Sequence, residues 1–276
     1  MRAAILQMTT GIDPDANLAT IADAMRAAKA QGADMVFTPE MSGYLDRDRA
    51  RAAVTIVSEE QDRVLAGVRA LAAEIGLWVA IGSLAVRDGA APGKSRNRAY
   101  LIDGEGRVRA RYDKMHLFDV DLPTGESYRE SNSYAPGDGA VVAGTPWAAL
   151  GLSICYDIRF PDLYRALSDA GATILSIPAA FTVPTGEAHW HVLLRARAIE
   201  AGCFVVSAAQ VGTHEDGRQT YGHSLVVDPW GEVLLDMGGE AAGLALVDLD
   251  LGRIADVRGR IPVLDHRRPS PDVTIL

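Results

Sequence analysis

The sequence contains very little cysteine, no excess of positive charge and no long unbroken hydrophobic segment. Its two cysteines, Cys155 and Cys203, are too few for a disulfide framework. The 276 residues carry a formal net charge of −9, so the chain lacks the basic field that displaces counterions from nucleic acid. We therefore expect a reduced protein with no nucleic-acid partner.

The apolar segments are too interrupted to predict a membrane span. Residues 139–156 and 170–186 carry no charge, but glycine, proline, threonine and serine break each of them, as in buried strands joined by turns. The first residues also lack the long apolar stretch of a secretion signal. We expect a cytoplasmic protein with no membrane partner.

Apolar runs of strand length alternate with amphipathic stretches along the chain, which predicts a layered α/β fold. The first helix is expected to have Asp15 as its N-cap and to end at Gly32. An Asp-Gly-Glu-Gly turn within residues 96–114 predicts a hairpin that ends at Lys114. Residues 115–146, rich in glycine, proline and serine, are expected to form an irregular functional loop. No linker or repeat divides the chain, so residues 1–276 are expected to form one domain.

The segment GLSICYDIRFPDLYRAL carries the sharpest chemical signal. Cys155 falls there between a buried strand and a helix that opens with Phe-Pro-Asp, a turn expected to expose its side chain. Helix N-terminal amides lower a thiol pKa and offer donors to an oxyanion, so the position suits a nucleophile. On this segment alone a buried structural cysteine is the alternative, and Cys203 in the apolar run CFVVSAA is expected to be of that kind.

Two charged residues at predicted strand ends complete a possible catalytic set. Glu40 follows the strand DMVFTPE, where its carboxylate is expected at the edge of a sheet, and Lys114 precedes an apolar Met-His-Leu-Phe segment. Taken singly, a solvated surface charge explains each of them better. Together with the thiol they make a nucleophile, a carboxylate base and a cation for an oxyanion, which acyl transfer from an amide requires.

The blocks FTPE, YDKMHLFD, ESNSYAPGD and GLSICYDIRFPDLYR, in this order, resemble those of the nitrilase superfamily. The resemblance continues through AHWHVLLRARAIE and YGHSLVVDPWGEV. It implies a four-layer αββα sandwich whose subunits associate through their outer helices into a homodimer or larger assembly. It implies neither a metal nor an organic cofactor.

The resemblance assigns roles to the matching residues. Cys155 would attack the substrate carbonyl and form a thioester, and Glu40 would act as the general base. Lys114 would hold the oxyanion together with the backbone amide of Tyr156. Glu130, in the ESNS motif, matches an additional active-site acid that supports Lys114 and the base.

Within the superfamily, the motifs ESNS, CYDIRFP, TYGH, VVDPWG and HRRP are most similar to the deaminated glutathione amidase branch, near the omega-amidases. This implies release of ammonia from the terminal amide of a small anionic 2-oxo acid, with deaminated glutathione as the leading candidate and metabolite repair as the role. An omega-amidase acting on 2-oxoglutaramate or 2-oxosuccinamate, an N-carbamoyl amino-acid hydrolase and a true nitrilase remain alternatives. A catalytically silent binding protein on the same fold is a more distant one.

Residues for substrate binding follow from the same resemblance. Arg159 is expected to bind the substrate carboxylate, because a guanidinium pairs with a carboxylate through two hydrogen bonds. A salt bridge to Asp157 or Asp162 is the alternative. The pocket candidates are Phe181, Thr185 and Tyr44.

Histidines offer competing interpretations. His189 and His191 form a His-x-His pair, but residues two apart on a helix do not share a face, so we expect no metal site. Three further histidines could serve a Cys-His hydrolase, although the resemblance gives them packing or loop roles. They are His116, His223 and His266.

Overall fold

The computed structural model describes residues 1–122, 125–269 and 274–275. The strands are β1 (Arg2–Gln7), β2 (Met35–Phe37), β3 (Trp78–Arg87), β4 (Ser95–Ile102), β5 (Val108–Asp113), β6 (Asp119–Asp121), β7 (Ser127–Arg129), β8 (Val141–Gly144), β9 (Ala149–Leu152), β10 (Ile174–Ser176), β11 (Phe204–Ser207), β12 (Val211–Thr213), β13 (Gln219–Tyr221), β14 (Leu225–Val227), β15 (Val233–Asp236) and β16 (Gly243–Asp248). The helices are α1 (Pro14–Ala30), α2 (Arg49–Thr55), α3 (Arg63–Ile75), α4 (Pro161–Asp169), α5 (Val183–Ala201) and α6 (Gly252–Arg260).

Two six-stranded sheets form the centre of the molecule. The first has the order β16-β1-β2-β3-β4-β5, and the second has the order β15-β14-β11-β10-β9-β8. The inner strands β1, β2 and β3 of the first sheet are parallel, as are β9, β10 and β11 of the second. Because parallel strands finish at a common edge, the segments that follow β2 and β9 are natural places for functional side chains.

Alternate residues of the first sheet face two different cores, since side chains along a strand point to opposite faces. In β1, Ala4 and Leu6 pack with α1 and α3, whereas Ala3 and Ile5 pack in the core shared with the second sheet. The helices α4 and α5 cover the second sheet, with the fully buried Trp190 among their contacts. The order helix, sheet, sheet, helix confirms the predicted four-layer αββα sandwich.

The first helix differs from its prediction at one end. Its N-cap is Asp13, not Asp15: the Asp13 carboxylate accepts the Asp15 N–H at 2.9 Å. Pro14 fills the first helical position, where its fixed φ and missing N–H are tolerated. Gly32, with φ +78°, follows the end of the helix as predicted. No helix in the described ranges is long and apolar enough to cross a membrane.

The segment 115–146 is more regular than predicted. It contains the β6–β7 hairpin, a 3-10 helix at Glu130–Asn132 and the edge strand β8, while its residues 123 and 124 lie outside the described residues. Only the central residue of β6 and of β7 is even partly buried. The sequence therefore carries no apolar alternation there that could have marked the strands.

Candidate active site

Cys155 lies at the turn after β9, where the backbone takes an unusual conformation. Its φ is +50°, uncommon for a residue with a Cβ atom, and its N–H donates to the Pro178 carbonyl at 2.8 Å. It opens a 3-10 helix at Cys155–Arg159. The predicted exposure was wrong: Cys155 is only 7% exposed, because loops from both sheets enclose the turn around a cavity that it lines.

The buried carboxylate of Asp157 holds this turn in place. Its Oδ2 accepts hydrogen bonds from the Ile154 N–H at 2.8 Å and from the Tyr112 hydroxyl at 2.7 Å. Its Oδ1 accepts the His116 N–H at 3.0 Å. Since Tyr112 and His116 lie on either side of Lys114 in the chain, Asp157 ties the cysteine turn to the strand end that carries the lysine.

Glu40 follows β2 and is enclosed by the same loops. Its Oε1 accepts hydrogen bonds from Lys114 Nζ at 2.8 Å and Asn97 Nδ2 at 2.9 Å, and its Oε2 accepts the Ala180 N–H at 2.9 Å. Cys155 lines the same cavity as Glu40, and the charge of this carboxylate raises the pKa of the thiol. Because Glu40 is only 4% exposed, it is not the solvated strand-end acid that was the alternative.

Lys114, at the end of the predicted hairpin, lies between two carboxylates. Its Nζ is 2.8 Å from Glu40 Oε1 and 2.9 Å from Glu130 Oε2. Glu130 also accepts hydrogen bonds from the Phe118 N–H at 2.7 Å and from Asn97 Nδ2 at 3.2 Å. With 2% of its surface exposed, Lys114 is not a surface lysine.

These contacts shift three pKa values. Burial raises the pKa of Glu40, but the charge and hydrogen bond of Lys114 outweigh burial and hold that pKa below its usual value. Burial lowers the pKa of Lys114, but the Glu130 and Glu40 carboxylates raise it above its usual value. Burial, and then the Glu40 charge, raise the pKa of the Cys155 thiol. Of the two ways to activate the thiol, a base or a lowered pKa, the raised pKa leaves the base, and the resting site holds a carboxylate, an ammonium and a thiol.

Asn97 is a site residue that sequence reasoning missed. It is 1% exposed in β4 and donates from one amide nitrogen to both Glu40 and Glu130. The backbone carbonyl of Asn97 accepts the backbone N–H of Lys114 at 2.9 Å. The side-chain Oδ1 of Asn97 is buried with no hydrogen-bond partner in the described part of the chain. The only signal in the sequence was a polar residue inside a hairpin strand.

A cavity of about 1090 Å³ opens over these groups. Three of the four side chains predicted to contact substrate line it, namely Tyr44, Phe181 and Thr185, and so does Tyr156, the predicted backbone donor to the oxyanion. Thr185 lies in the first turn of α5 rather than in a loop, because the helix already begins at Val183 and Pro184 suits a first turn.

Arg159 is not among the described residues that line the cavity. Its guanidinium carbon lies 5.8 Å from the centre of the Tyr156 ring and 5.4 Å from that of Phe181, and its Nη1 is 3.2 Å from His189 Nδ1. The salt bridge to a neighbouring aspartate, weighed as the alternative, does not occur within the described ranges either. Arg159 thus packs against rings of the cavity wall, and its contact with a substrate carboxylate stays a prediction.

The histidines lie away from the thiol. Of the described residues that line the cavity, none is a histidine. His116 is engaged by Asp157, with His116 Nδ1 and Asp157 Oδ1 2.7 Å apart. This geometry favours Glu40 over a histidine as the partner of Cys155.

One histidine of the His-x-His pair belongs to a cluster that sequence spacing could not reveal. His191 Nε2 lies 2.9 Å from Asp236 Oδ2, and His223 Nδ1 lies 2.9 Å from Asp236 Oδ1. Their potential ligand atoms lie within 4.8 Å of one another, close enough to hold a metal ion. Tertiary packing of α5 against the segment around β14 and β15 brings these residues together, so an argument from helix spacing alone was insufficient.

The family model for carbon-nitrogen hydrolases matches residues 2–259. This chain belongs to the carbon-nitrogen hydrolase family. Two curated relatives named deaminated glutathione amidase are similar to nearly all of it. The Yersinia enterocolitica protein is 39% identical over 266 residues, which cover 96% of this chain and 92% of the relative. The Homo sapiens protein is 42% identical over 270 residues, which cover 97% of this chain and 82% of the relative.

Solved structures agree with this membership. The Caenorhabditis elegans NitFhit protein superimposes with a TM-score of 0.89 at 37% identity, over 97% of this chain and 65% of that one. An amidase of the nitrilase superfamily from Nesterenkonia sp. AN1 gives a TM-score of 0.79 at 31% identity, over 95% of this chain and 98% of that one. One structure of that amidase shows Michael addition of acrylamide at its active site cysteine. The predicted superfamily, fold and class, a hydrolase of carbon-nitrogen bonds, are confirmed.

Proposed function

We propose that this protein is a cysteine amidohydrolase in which Cys155 is the nucleophile, Glu40 the general base and acid, and Lys114 the oxyanion stabiliser. The observation that carries the proposal is the position of Glu40, which accepts a hydrogen bond from the Lys114 ammonium at 2.8 Å and lines the same cavity as Cys155. A carboxylate in that position accepts the thiol proton only as the sulfur attacks, so a raised thiol pKa is compatible with nucleophilic catalysis.

Acylation begins when Cys155 Sγ forms a bond to the amide carbon and its proton passes to Glu40. The carbonyl electron pair moves to oxygen, where Lys114 Nζ and the Tyr156 N–H stabilise the charge. The first N–H groups of a helix have no partner inside the helix, so the 3-10 helix that starts at Cys155 offers such a donor. The carbon-nitrogen bond then breaks, Glu40 protonates the leaving nitrogen, and a thioester remains.

Deacylation uses the same groups in reverse roles. Water attacks the thioester carbon while Glu40 accepts its proton. The carbon-sulfur bond then breaks, Glu40 returns the proton to the sulfur to restore the Cys155 thiol, and the acid is released. Glu130 has no step of its own in this scheme. It touches Lys114 with both carboxylate oxygens, at 3.1 and 2.9 Å, and so keeps the ammonium charged and oriented.

Two findings favour deaminated glutathione as the substrate. Relatives at about 40% identity carry that name, and the cavity volume of about 1090 Å³ exceeds what a five-carbon 2-oxo amide needs. The expectation of ammonia release needs correction for this compound. Its 2-oxo acid is held in a secondary amide, so hydrolysis frees an amino group on a dipeptide, and ammonia is the product only for 2-oxoglutaramate or 2-oxosuccinamate.

The test compares the protein with its Cys155→Ala variant on five substrates. They are deaminated glutathione, 2-oxoglutaramate, 2-oxosuccinamate, an N-carbamoyl amino acid and an aliphatic nitrile. New primary amine is measured for the first and ammonia for the others. A lead of at least tenfold in kcat/KM for deaminated glutathione, about 1.4 kcal/mol of transition-state preference, is the expected result.

The other outcomes assign the alternatives. A lead for the small 2-oxo amides indicates an omega-amidase, and carbon dioxide with ammonia indicates a carbamoyl hydrolase. Turnover of the nitrile indicates a nitrilase. No turnover of any substrate, together with slow alkylation of Cys155 by iodoacetamide, would leave a silent binding protein and contradict the proposal.

A further inference from the structure

One basic side chain of the cavity differs from the others in its burial. Besides Lys114, the cations that line the cavity are Arg47, Arg49, Arg87, Lys94, Arg129 and Arg218. All are exposed except Arg218, whose side chain is only 21% exposed. We propose that Arg218 binds a carboxylate of the substrate and thereby selects anionic amides. This inference rests on the proposed function, since it concerns the same cavity.

The backbone of Arg218 is firmly placed. The residue immediately precedes β13 in the β12–β13 hairpin. Its N–H donates to Asp216 Oδ1 at 2.9 Å, and its carbonyl accepts the His214 N–H at 2.8 Å. The His214 ring is itself buried between the Thr10 carbonyl and the Thr220 hydroxyl, each 2.8 Å away. The hairpin therefore presents the guanidinium to the cavity from a fixed support.

The guanidinium itself is poorly paired. Its nearest carboxylate oxygen is Asp216 Oδ2, 3.4 Å from Nη2, whereas Arg129 bonds Asp121 with two contacts of 2.9 Å. Arg218 Nε and Asp216 Oδ2 are both buried without a hydrogen-bond partner in the described ranges. Unmet polar atoms are rare in protein interiors, so the protein itself does not fully satisfy this guanidinium, and its other nitrogens can donate to a ligand that supplies acceptors.

Each acidic side chain of the described cavity lining lies near a cation other than Arg218. Glu40 and Glu130 contact Lys114. Asp46 pairs with Arg51 at 2.7 Å, Asp88 with Arg96 at 3.1 Å, and Glu126 lies 3.7 Å from Arg47. No acid of the described lining therefore lies within ion-pair distance of Arg218.

Arg218 shares the wall of the cavity with two tyrosines. Its charge acts on Tyr128 and Tyr134, two other lining residues, and opposes the rise in their pKa that burial causes. A carboxylate matches such a site, because its two oxygens accept from two guanidinium nitrogens at once. Arg159, by contrast, is not among the described residues that line the cavity; it packs behind the rings of two residues that do, Tyr156 and Phe181.

The test measures charge selectivity in Arg218→Gln. Its substrates are 2-oxoglutaramate and the neutral analogue 4-oxopentanamide, in which a methyl group replaces the carboxylate. We expect kcat/KM of Arg218→Gln to fall about 10- to 100-fold for 2-oxoglutaramate and less than about 3-fold for the neutral amide. In Arg218→Lys, kcat/KM for 2-oxoglutaramate should recover partly. Arg49→Gln, which removes the same charge from an exposed position of the same cavity, should change neither substrate by more than about 3-fold.

A second pair of substrates locates the carboxylate along the substrate. N-(4-oxopentanoyl)-cysteinylglycine and its C-terminal amide carry the charge, or lack it, only on the leaving group. If Arg218→Gln no longer distinguishes the charged from the neutral member of this pair, Arg218 contacts the carboxylate of the leaving group. If it loses that distinction only for 2-oxoglutaramate and 4-oxopentanamide, Arg218 contacts the carboxylate of the acyl part. Either pattern supports the proposal.

Equal losses on the charged and the neutral member of both pairs would overturn it, as would a selective loss in Arg159→Gln with none in Arg218→Gln. Thermal shifts with 2-oxoglutarate provide a readout that needs no turnover: Cys155→Ala should be stabilised, and Cys155→Ala/Arg218→Gln should not. An equal shift in both, together with unchanged charge selectivity for the cysteinylglycine pair in Arg218→Gln, would also refute the role. If the wild type hydrolyses none of these amides, the proposed function fails; if it does but its charge selectivity survives in Arg218→Gln, only this inference fails.

Discussion

The cavity has a floor, formed by Glu40, Lys114 and Cys155, and an outer part that carries the remaining cations, and the two differ in burial and in hydrogen bonding. On the floor, Glu40, Lys114 and Cys155 are 4, 2 and 7% exposed, and each is held by partners from several segments. The outer cations are mostly exposed, and the closest carboxylate oxygen to the Arg218 guanidinium in the described part of the chain is 3.4 Å away. A buried, hydrogen-bonded floor fixes the geometry that the chemistry needs, whereas the weakly paired guanidinium of Arg218 remains available to a ligand.

Removal of the thiol should have the largest effect of any single change at the floor. Cys155→Ala is expected to lower kcat by at least ~10⁴-fold, as loss of a nucleophile does elsewhere, while thermal unfolding changes little because the side chain becomes smaller only at the cavity wall. Steady-state kinetics on 2-oxoglutaramate and a melting curve check both statements. Activity near that of the wild type would show that another group carries the reaction.

Removal of the lysine tests whether the floor works as one charged unit. Lys114→Met should lower kcat by ~10²-fold or more, the usual loss when an oxyanion donor is removed. It also takes away the cation that lowers the pKa of Glu40, so the acid limb of kcat/KM should move to higher pH. In the wild type, that limb should lie below the usual carboxyl value of 4.5.

The same pKa shift gives a stability prediction. Because the pKa of folded Glu40 is lowered, its contribution to the free energy of unfolding is present above about pH 4.5 and disappears as pH falls through the folded pKa. Urea unfolding of the wild type and of Lys114→Met between pH 3 and 7 measures this. An identical pH dependence in the two proteins would show that Lys114 does not control this titration.

A glycine between the two sheets should have an intermediate effect. An added Cβ at Gly82 would lie 2.2 and 2.4 Å from backbone oxygens of the segment just before Glu40, and 2.5 Å from Pro178 Cβ. Gly82→Ala should therefore destabilise the fold by about 1–3 kcal/mol and lower kcat about tenfold. Gly139→Ala is the control, since nothing lies within 4 Å of its added Cβ; if the two variants behave alike, close packing at Gly82 is unimportant.

The smallest effect is expected at Tyr44, on the cavity wall. Its hydroxyl donates to Asp46 Oδ2 at 2.8 Å, and Arg51 also donates to Asp46, at 2.7 and 3.0 Å. Tyr44→Phe removes one of these bonds, so it should cost about 1 kcal/mol of stability and change kcat/KM less than about 3-fold. A tenfold loss on deaminated glutathione with normal stability would instead make Tyr44 a substrate-binding residue.

The sequence predicted most of the floor because each floor residue lies in its own local motif. Cys155 stands at a strand-to-helix turn, Glu40 after a short apolar strand and Lys114 after a hairpin, and all three were placed at strand ends. It did not predict Asn97, whose partners Glu40 and Glu130 are 57 and 33 residues away. Nor did it predict the buried state of the thiol, because burial depends on loops from both sheets.

What the sequence determined by itself is therefore the periodicity of the layers, the turns and the types of reacting groups, since these depend on neighbours within one element. Tertiary structure decided which groups face one another. It took Arg159 out of the cavity lining and put Arg218 into it, and it joined His191 to Asp236 across 45 residues of chain. The physical reason is that hydrogen-bond partners, burial and the resulting pKa shifts are properties of the packed sheets and loops, not of any one segment.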